Sequence, residues 1–244
     1  MRVFAIAHEG HTLPQLGEMV EDILWIELGQ AAQMLSFFQE RGLKEAVMAG
    51  FITKANMFSR FSPDQRVLSI MARLKDFNDD NILRALADEF EKEGVKILPS
   101  TFFTPQIVAP PGTLTKRVPS PEEEIDIEFG WKMAKGIGRL DIGQCVVVRN
   151  RSVLAVEAIE GTDETIKRGG KLAGEKAVVV KVIKPSQDLR FDVPAIGHRT
   201  IEVMAEVKAS VLAVEAGNTL IFNREELIRL ADEHGIAVVA RESE

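Results

Sequence analysis

The chain has a single cysteine among its 244 residues, Cys145. An intrachain disulfide is therefore excluded, and the surrounding QCVVV marks Cys145 as a small buried hydrophobe rather than a thiol nucleophile. No apolar stretch reaches the roughly 18 residues that a membrane span needs, and the segment from Met1 to Ala7 is too short for a signal-peptide core. A cytoplasmic protein is expected. Long basic runs are missing too: Lys and Arg never stand more than two together, and the net charge is −7, which argues against a general nucleic-acid binder. A G-x-G-x-x-G turn is absent, which disfavours an NAD-dependent oxidoreductase, and there is no fixed-period repeat or low-complexity tract.

What remains is an ordinary globular composition, 45% hydrophobic, in a length that suits one large domain or two of common size. Residues 1–108 alternate strand and helix. VFAIA from Val3 and ILWIEL from Ile23 are apolar runs of strand length, with Leu13, Leu16 and Val20 at helical spacing between them. AAQMLSFFQERG predicts a helix stopped at Gly42, in which Met34, Phe37 and Phe38 form a core stripe or line an acyl-chain groove. EAVMAGF is a third strand, Asp79 or Asp80 is placed to cap a helix with Leu83, Leu86, Ala87 and Phe90 as its stripe, and VKIL follows as another strand. This repetition predicts a Rossmann-like parallel sheet whose ligands sit beyond the carboxyl ends of the strands. His8 and His11 flank Glu9 at one such end, without a metal-binding spacing.

From Ala109 to Pro121 the chain holds four of its ten prolines, so a boundary is expected there, with domains over 1–110 and 122–244 and a linker over 111–121. A helix begins near Pro121, where Glu122, Glu123 and Glu124 suit a helix start, and the GIG at Gly136 to Gly138 reads as its termination. CVVVRNRSVLAVEAI has the form of two strands turning at Asn150 and Arg151. The remaining strands (AVVVKVI, SVLAVEA, TLIFN, IAVVA) alternate with helices at Thr165 to Leu172, Thr200 to Val207 and Arg224 to His234, making a second α/β domain.

Polar residues crowd two runs at strand ends, EAIEGTDETIKRGG (Glu157 to Gly170) and KVIKPSQDLRFDVPAIG (Lys181 to Gly197). Such density is a poor way to build a core, whereas a site for a divalent metal and a phosphorylated substrate needs acids and bases close together. In the first run, Gly161-Thr162-Asp163 opens a helix whose free N–H groups can cradle phosphate, although taken alone a plain N-cap is the commoner reading; Arg168 with Gly169 and Gly170 shifts the balance towards the anion. In the second run, Pro185 and Pro194 frame an extended segment in which Asp188, Arg190 and Asp192 share one face at a period of two. Two carboxylates so spaced suit magnesium, and the same pattern also fits a solvated strand face with a local ion pair. Lys181 and Lys184 are phosphate contacts or solvated lysines, and Glu215 is a turn residue or a ligand.

These runs carry a family resemblance. Through GRLDIGQCVVV (Gly138 to Val148), AVEAIEGTD and RGG (Ala155 to Gly170), VVVKVIKPSQDLRFDVPAIG (Val178 to Gly197), TIE at Thr200 and AVEAG at Ala213, the chain resembles the LpxI-type UDP-2,3-diacylglucosamine pyrophosphatases of lipid A biosynthesis. Weaker matches are AHEG at Ala7, LGQ at Leu28 and EAVMAG at Glu45. The resemblance implies a Rossmann-like N-terminal domain, a second mixed α/β domain, and Mg2+-dependent hydrolysis of UDP-2,3-diacylglucosamine to lipid X and UMP. It gives Asp188, Asp192 and Arg190 catalytic roles, with Glu157, Asp163, Asp188 and Asp192 as metal ligands. Substrate contacts are expected from Thr162, Arg168, Gly169, Gly170, Lys181, Lys184, Gln187 and Thr200. A homodimer with peripheral contact to the inner membrane is the expected assembly. Members of the family begin with an additional apolar strand and a glycine-containing loop. This chain starts at what looks like their second strand, so the first strand is expected to be missing and the pocket incomplete. Phe51 stands where a second glycine is expected after Gly50, narrowing that pocket. The rival is a nucleotide- or phospholipid-sensing module, which has little use for two carboxylates beside an anion.

Overall fold

A computed structural model of the chain describes residues 2–50, 61–75, 79–185 and 187–242, with only the backbone at 79 and 80. Phe51, and with it the expected narrowing, lies outside the described residues, as do the side chains of Asp79 and Asp80. Contacts divide the chain into two units, Met1–Ser100 and Thr101–Glu244.

In the first unit β1 (Phe4–His8) and β2 (Asp22–Ile26) pair in parallel. The helical spacing between them produces only one short 3-10 segment, Pro14–Glu18, with proline in its first turn. Helix α1 (Ala31–Glu40) buries Leu35, Phe37 and Phe38, so the aromatic pair is core; Phe38 meets Phe90 edge-on, ring centres 5.8 Å apart. Gly42 follows at φ +63°, the left-handed conformation that ends a helix. One carboxylate, that of Asp64, accepts the Ala32 N–H at the start of α1 and caps α2 (Gln65–Met71) through the Val67 N–H. Helix α3 (Asp79–Lys92) then leads to β4 (Lys96–Leu98), which pairs in parallel with β3 (Glu45–Val47). The described strands thus pair two by two, where a single parallel sheet was expected. With three residues each, β3 and β4 form too short a ladder to extend it.

The second unit is built on one six-stranded sheet. Its strands are β5 (Gly112–Thr113), β6 (Cys145–Arg149), β7 (Ser152–Val156), β8 (Val178–Lys181), β10 (Val211–Glu215) and β12 (Ala237–Arg241), in the order β5-β12-β10-β8-β6-β7. β8, β10 and β12 are parallel, while β6 runs against both β7 and β8. The β6–β7 hairpin turns at Asn150 and Arg151, both at positive φ (+50° and +56°), and the Asp126 carboxylate accepts both of their N–H groups. A small parallel pair, β9 (Ala195–Ile196) and β11 (Leu220–Ile221), lies apart from the sheet. Residues 111–121, expected as a linker, are partly built into this unit. Gly112–Thr113 pairs antiparallel with β12, and Thr115 Oγ1 accepts the Val238 N–H.

Helix α4 (Pro121–Arg139) covers one face of the sheet, with Ile127 and Ala134 against Val146, Val178, Val180 and Ala213. Its capping box joins Ser120 and Glu123, and it ends at Arg139, one residue after the GIG. Helices α5 (Thr162–Ala173), α6 (His198–Glu206) and α7 (Arg224–Glu233) belong to the opposite core, with Cys145, Val147, Val179, Leu212 and Val238. Burial on both faces explains why β8 reads as an unbroken valine run, each valine worth roughly 1.5–3 kcal/mol relative to an exposed one.

Two glycines of α5 are there for packing. A Cβ on Gly169 would lie 2.5 Å from Val147 Cβ, and one on Gly170 would lie 2.2 Å from Val207 Cγ2. Gly170→Ala is therefore expected to destabilise the protein by about 1–3 kcal/mol through overpacking, and Val207→Ala in the same chain to recover part of the loss. Chemical denaturation of the two variants checks this; a single variant as stable as the wild type would show that the helix moves aside at no cost.

Candidate active site

Strands β7, β8, β10 and β12 run the same way, so their carboxyl ends share one edge of the sheet, and β6 contributes its amino end there. This is the edge where open α/β sheets bind ligands. Glu157 follows β7, Lys181 ends β8, and both flank Cys145 at the start of β6: Lys181 is its register partner, and its carbonyl accepts the Glu157 N–H. Gly143 is required by this approach, since a Cβ there would fall 2.1 Å from the Glu157 carbonyl oxygen. Burial pushes the Cys145 thiol well above its ordinary pKa, with the Glu157 charge adding to the rise and Lys181 opposing it.

Glu157 is buried, and its carboxylate accepts from Thr162 Oγ1 at 2.7 Å and from the Gln144 N–H at 3.2 Å. Thr162 and Glu157 are thus joined at the start of α5. Lys181 is only 7% exposed, yet its ammonium has one hydrogen bond, to the Ala195 carbonyl at 2.8 Å, and no carboxylate partner among the described residues. A buried ammonium is normally paired, because desolvation costs several kcal/mol per ion, of order, unless another charge offsets it.

The segment after β8 departs from expectation. Residues 187–192 are not an extended strand with Asp188, Arg190 and Asp192 alternating on a face; the Asp188 carbonyl accepts the Phe191 and Asp192 N–H groups, bending the chain into a turn. The Asp188 carboxylate drives the bend by accepting the Arg190 N–H at 3.0 Å, and it also receives the Arg190 guanidinium at 2.9–3.2 Å. Asp192 lies one hydrogen-bonded turn from Asp188, and the Asp192 carboxylate has no hydrogen bond or ion pair among the described residues. Gln187 Oε1 accepts the Lys184 N–H, while Lys184 Nζ reaches Asp141 at 2.7 Å.

Other expected site residues are engaged locally. Asp163 points to Arg199, 3.8 Å away, and is half-exposed; it is not gathered with Asp188 and Asp192 into a metal-binding group. Arg168 donates to the Val156 carbonyl and to Glu160, and Gly169 and Gly170 serve the packing described above. Thr200 is buried in the first turn of α6. Among the described residues no group of three or more His, Cys, Asp or Glu can hold an ion by itself, and no helix is long and apolar enough to cross a membrane.

Residues 1–107 match the LpxI N-terminal domain and residues 110–239 the LpxI C-terminal domain. The chain belongs to the LpxI family. A family relative, the UDP-2,3-diacylglucosamine pyrophosphatase LpxI of Caulobacter vibrioides (strain ATCC 19089 / CIP 103742 / CB 15), is 35% identical over 225 residues, spanning 88% of this chain and 80% of that protein.

In this LpxI-family chain the sheet edge also holds three residues that sequence reasoning passed over, Lys135, Gln144 and Thr219, beside Glu215 and Gln187, which it named. Lys135 of α4 reaches Glu215 at the end of β10, 2.6 Å away. Gln144 Oε1, Gln187 Nε2 and Thr219 Oγ1 are buried without a hydrogen-bond partner among the described residues. Gln144 immediately precedes β6, Gln187 sits in the turn after β8 and Thr219 follows β10, so all three belong to segments at the carboxyl edge. Unmet polar groups are costly in a core and ordinary where a polar ligand completes them. In the first unit His8 Nδ1 and His11 Nε2 are likewise unpartnered, and burial, then the neighbouring His11, holds the His8 pKa below its usual value.

Proposed function

We propose that this chain hydrolyses the pyrophosphate of UDP-2,3-diacylglucosamine in lipid A biosynthesis, releasing UMP and 2,3-diacylglucosamine 1-phosphate, lipid X. The observation that carries this reading beyond family membership is Lys181, a buried cation at the ligand-binding edge with no acidic partner among the described residues. A phosphate oxygen would supply the missing charge.

The substrate also needs a base for water and an apolar neighbourhood for its chains. Water adds its oxygen to phosphorus, the bridging P–O bond breaks with UMP as leaving group, and the water proton passes to a carboxylate, a role that suits the unengaged Asp192. Arg190, aligned by Asp188, can face the developing phosphoryl charge. Asp188 and Asp192 would hold Mg2+, which commonly takes one or two carboxylates together with substrate phosphates and waters; that demand fits this donor set, and the ion would neutralise pyrophosphate charge. Leu140, Ile142, Ile159 and Phe222 are exposed hydrophobics in or beside loops at this edge, Ile159 at 96%, and offer apolar surface for acyl chains or for the membrane that supplies them.

Incubating the purified protein with UDP-2,3-diacylglucosamine should yield equimolar UMP and lipid X with Mg2+, and neither product in excess chelator. Full turnover in chelator would remove the metal from this reading. No turnover in either condition, with the substrate still bound, would favour a sensing role instead.

A further inference from the structure

Glu215 is 1% exposed, and its carboxylate is fully engaged. Oε2 accepts Lys135 Nζ at 2.6 Å and the Ile183 N–H at 3.0 Å, and Oε1 accepts Asn218 Nδ2 at 3.3 Å. Lys135 Nζ in turn donates to the Ile183 carbonyl at 3.2 Å. One buried ion pair therefore grips Ile183 by both its N–H and its C=O. The grip falls two residues past the end of β8, where the chain leaves the sheet for the turn that carries Asp188, Arg190 and Asp192. Its two charges come from different elements, the helix covering one face and the strand beside β8, so the root of the turn is tied to the rigid part of the unit.

Stability alone is a poor reason for such a pair. Buried ion pairs are often neutral or unfavourable compared with apolar residues of similar size. A clamp on a loop whose side chains must be placed to a fraction of an ångström is a better reason, because small misplacements of reacting groups cost large factors in rate. We infer that Lys135 and Glu215 are positioning residues that fix the root of the 183–194 segment and so the placement of Asp188, Arg190 and Asp192. The inference rests on the function proposed above for those three side chains.

Glu215→Gln and Lys135→Met separate this role from a structural one when kinetics are read beside amide hydrogen exchange. Each variant is expected to lower kcat about ten- to a hundredfold while KM stays within about threefold, the pattern of lost positioning. Peptides covering 183–192 should exchange faster, while the β10 amides at 211–214 stay as protected as in the wild type. Lys135→Arg, which keeps the charge, should recover most of kcat. Unchanged kcat with unchanged exchange would overturn the clamp, and so would equal loss of protection in β10 and the loop, which would make the pair a general brace of the unit. Exchange needs no substrate: a wild-type protein without pyrophosphatase activity would end the proposed function, while exchange over 183–192 would still decide whether the pair holds the segment.

Discussion

Asp188→Ala and Asp192→Ala are each expected to lower turnover at least about a hundredfold, the scale of losing a positioned acid–base group. The two losses differ in origin. Removing the Asp188 carboxylate releases the Arg190 guanidinium and the Arg190 N–H together, so the turn loses its brace as well as a charge. Removing Asp192 takes away a carboxylate that has no other engagement among the described residues, so its loss should fall almost wholly on kcat. Substrate should still bind through its uridine and acyl chains, and the Asp192 variant should carry bound substrate or product through purification, detectable by mass spectrometry. Thermal unfolding within a few degrees of the wild type is expected for Asp192→Ala. Near-normal turnover in both variants, or loss of turnover only where the protein unfolds, would make these aspartates structural.

Lys181→Met should move stability and activity in opposite directions. Methionine keeps the length of the side chain and removes a desolvated charge that has no carboxylate partner in the described structure, so the folded state should gain about 1–3 kcal/mol, as when buried charges give way to apolar residues. The same change should lower kcat/KM by about a hundredfold or more, because a phosphate contact to a buried ammonium is worth far more than one in water. Such a trade is the mark of a residue kept for function. Urea titration and steady-state kinetics on one preparation measure both sides. A variant less stable than the wild type but equally active would mean that the ammonium braces the Ala195 carbonyl and nothing more.

The second domain was largely legible from its residues because each signal had one physical cause. Valine runs unbroken by polar residues demand burial on both faces, and β6, β8 and β10 deliver it. The Asn150-Arg151 turn was readable from its position between two strands, and both residues take the left-handed conformation it needs. The Asp188 turn is not legible in the sequence because two framing prolines point to an extended backbone, whereas an aspartate that bonds a backbone N–H two residues on bends the chain. In the RGG stretch the glycines suggest close approach to a ligand, and the structure uses them for the approach of Val147 and Val207. Glu215 stood out only as a turn residue or a ligand, and Lys135 gave no local signal: the two stand 80 residues apart, on different elements, and only the packing of α4 on the sheet brings them together.

The reversed direction of β6 has a consequence for what can occupy the edge. Lying between β7 and β8, it holds the main chains that end in Glu157 and Lys181 two strand spacings apart, roughly 9–10 Å. On the function proposed above, that interval would act as a ruler: a lone phosphate held by Lys181 would fall short of Thr162 and the start of α5, whereas a diphosphate with a sugar on either side would extend across it.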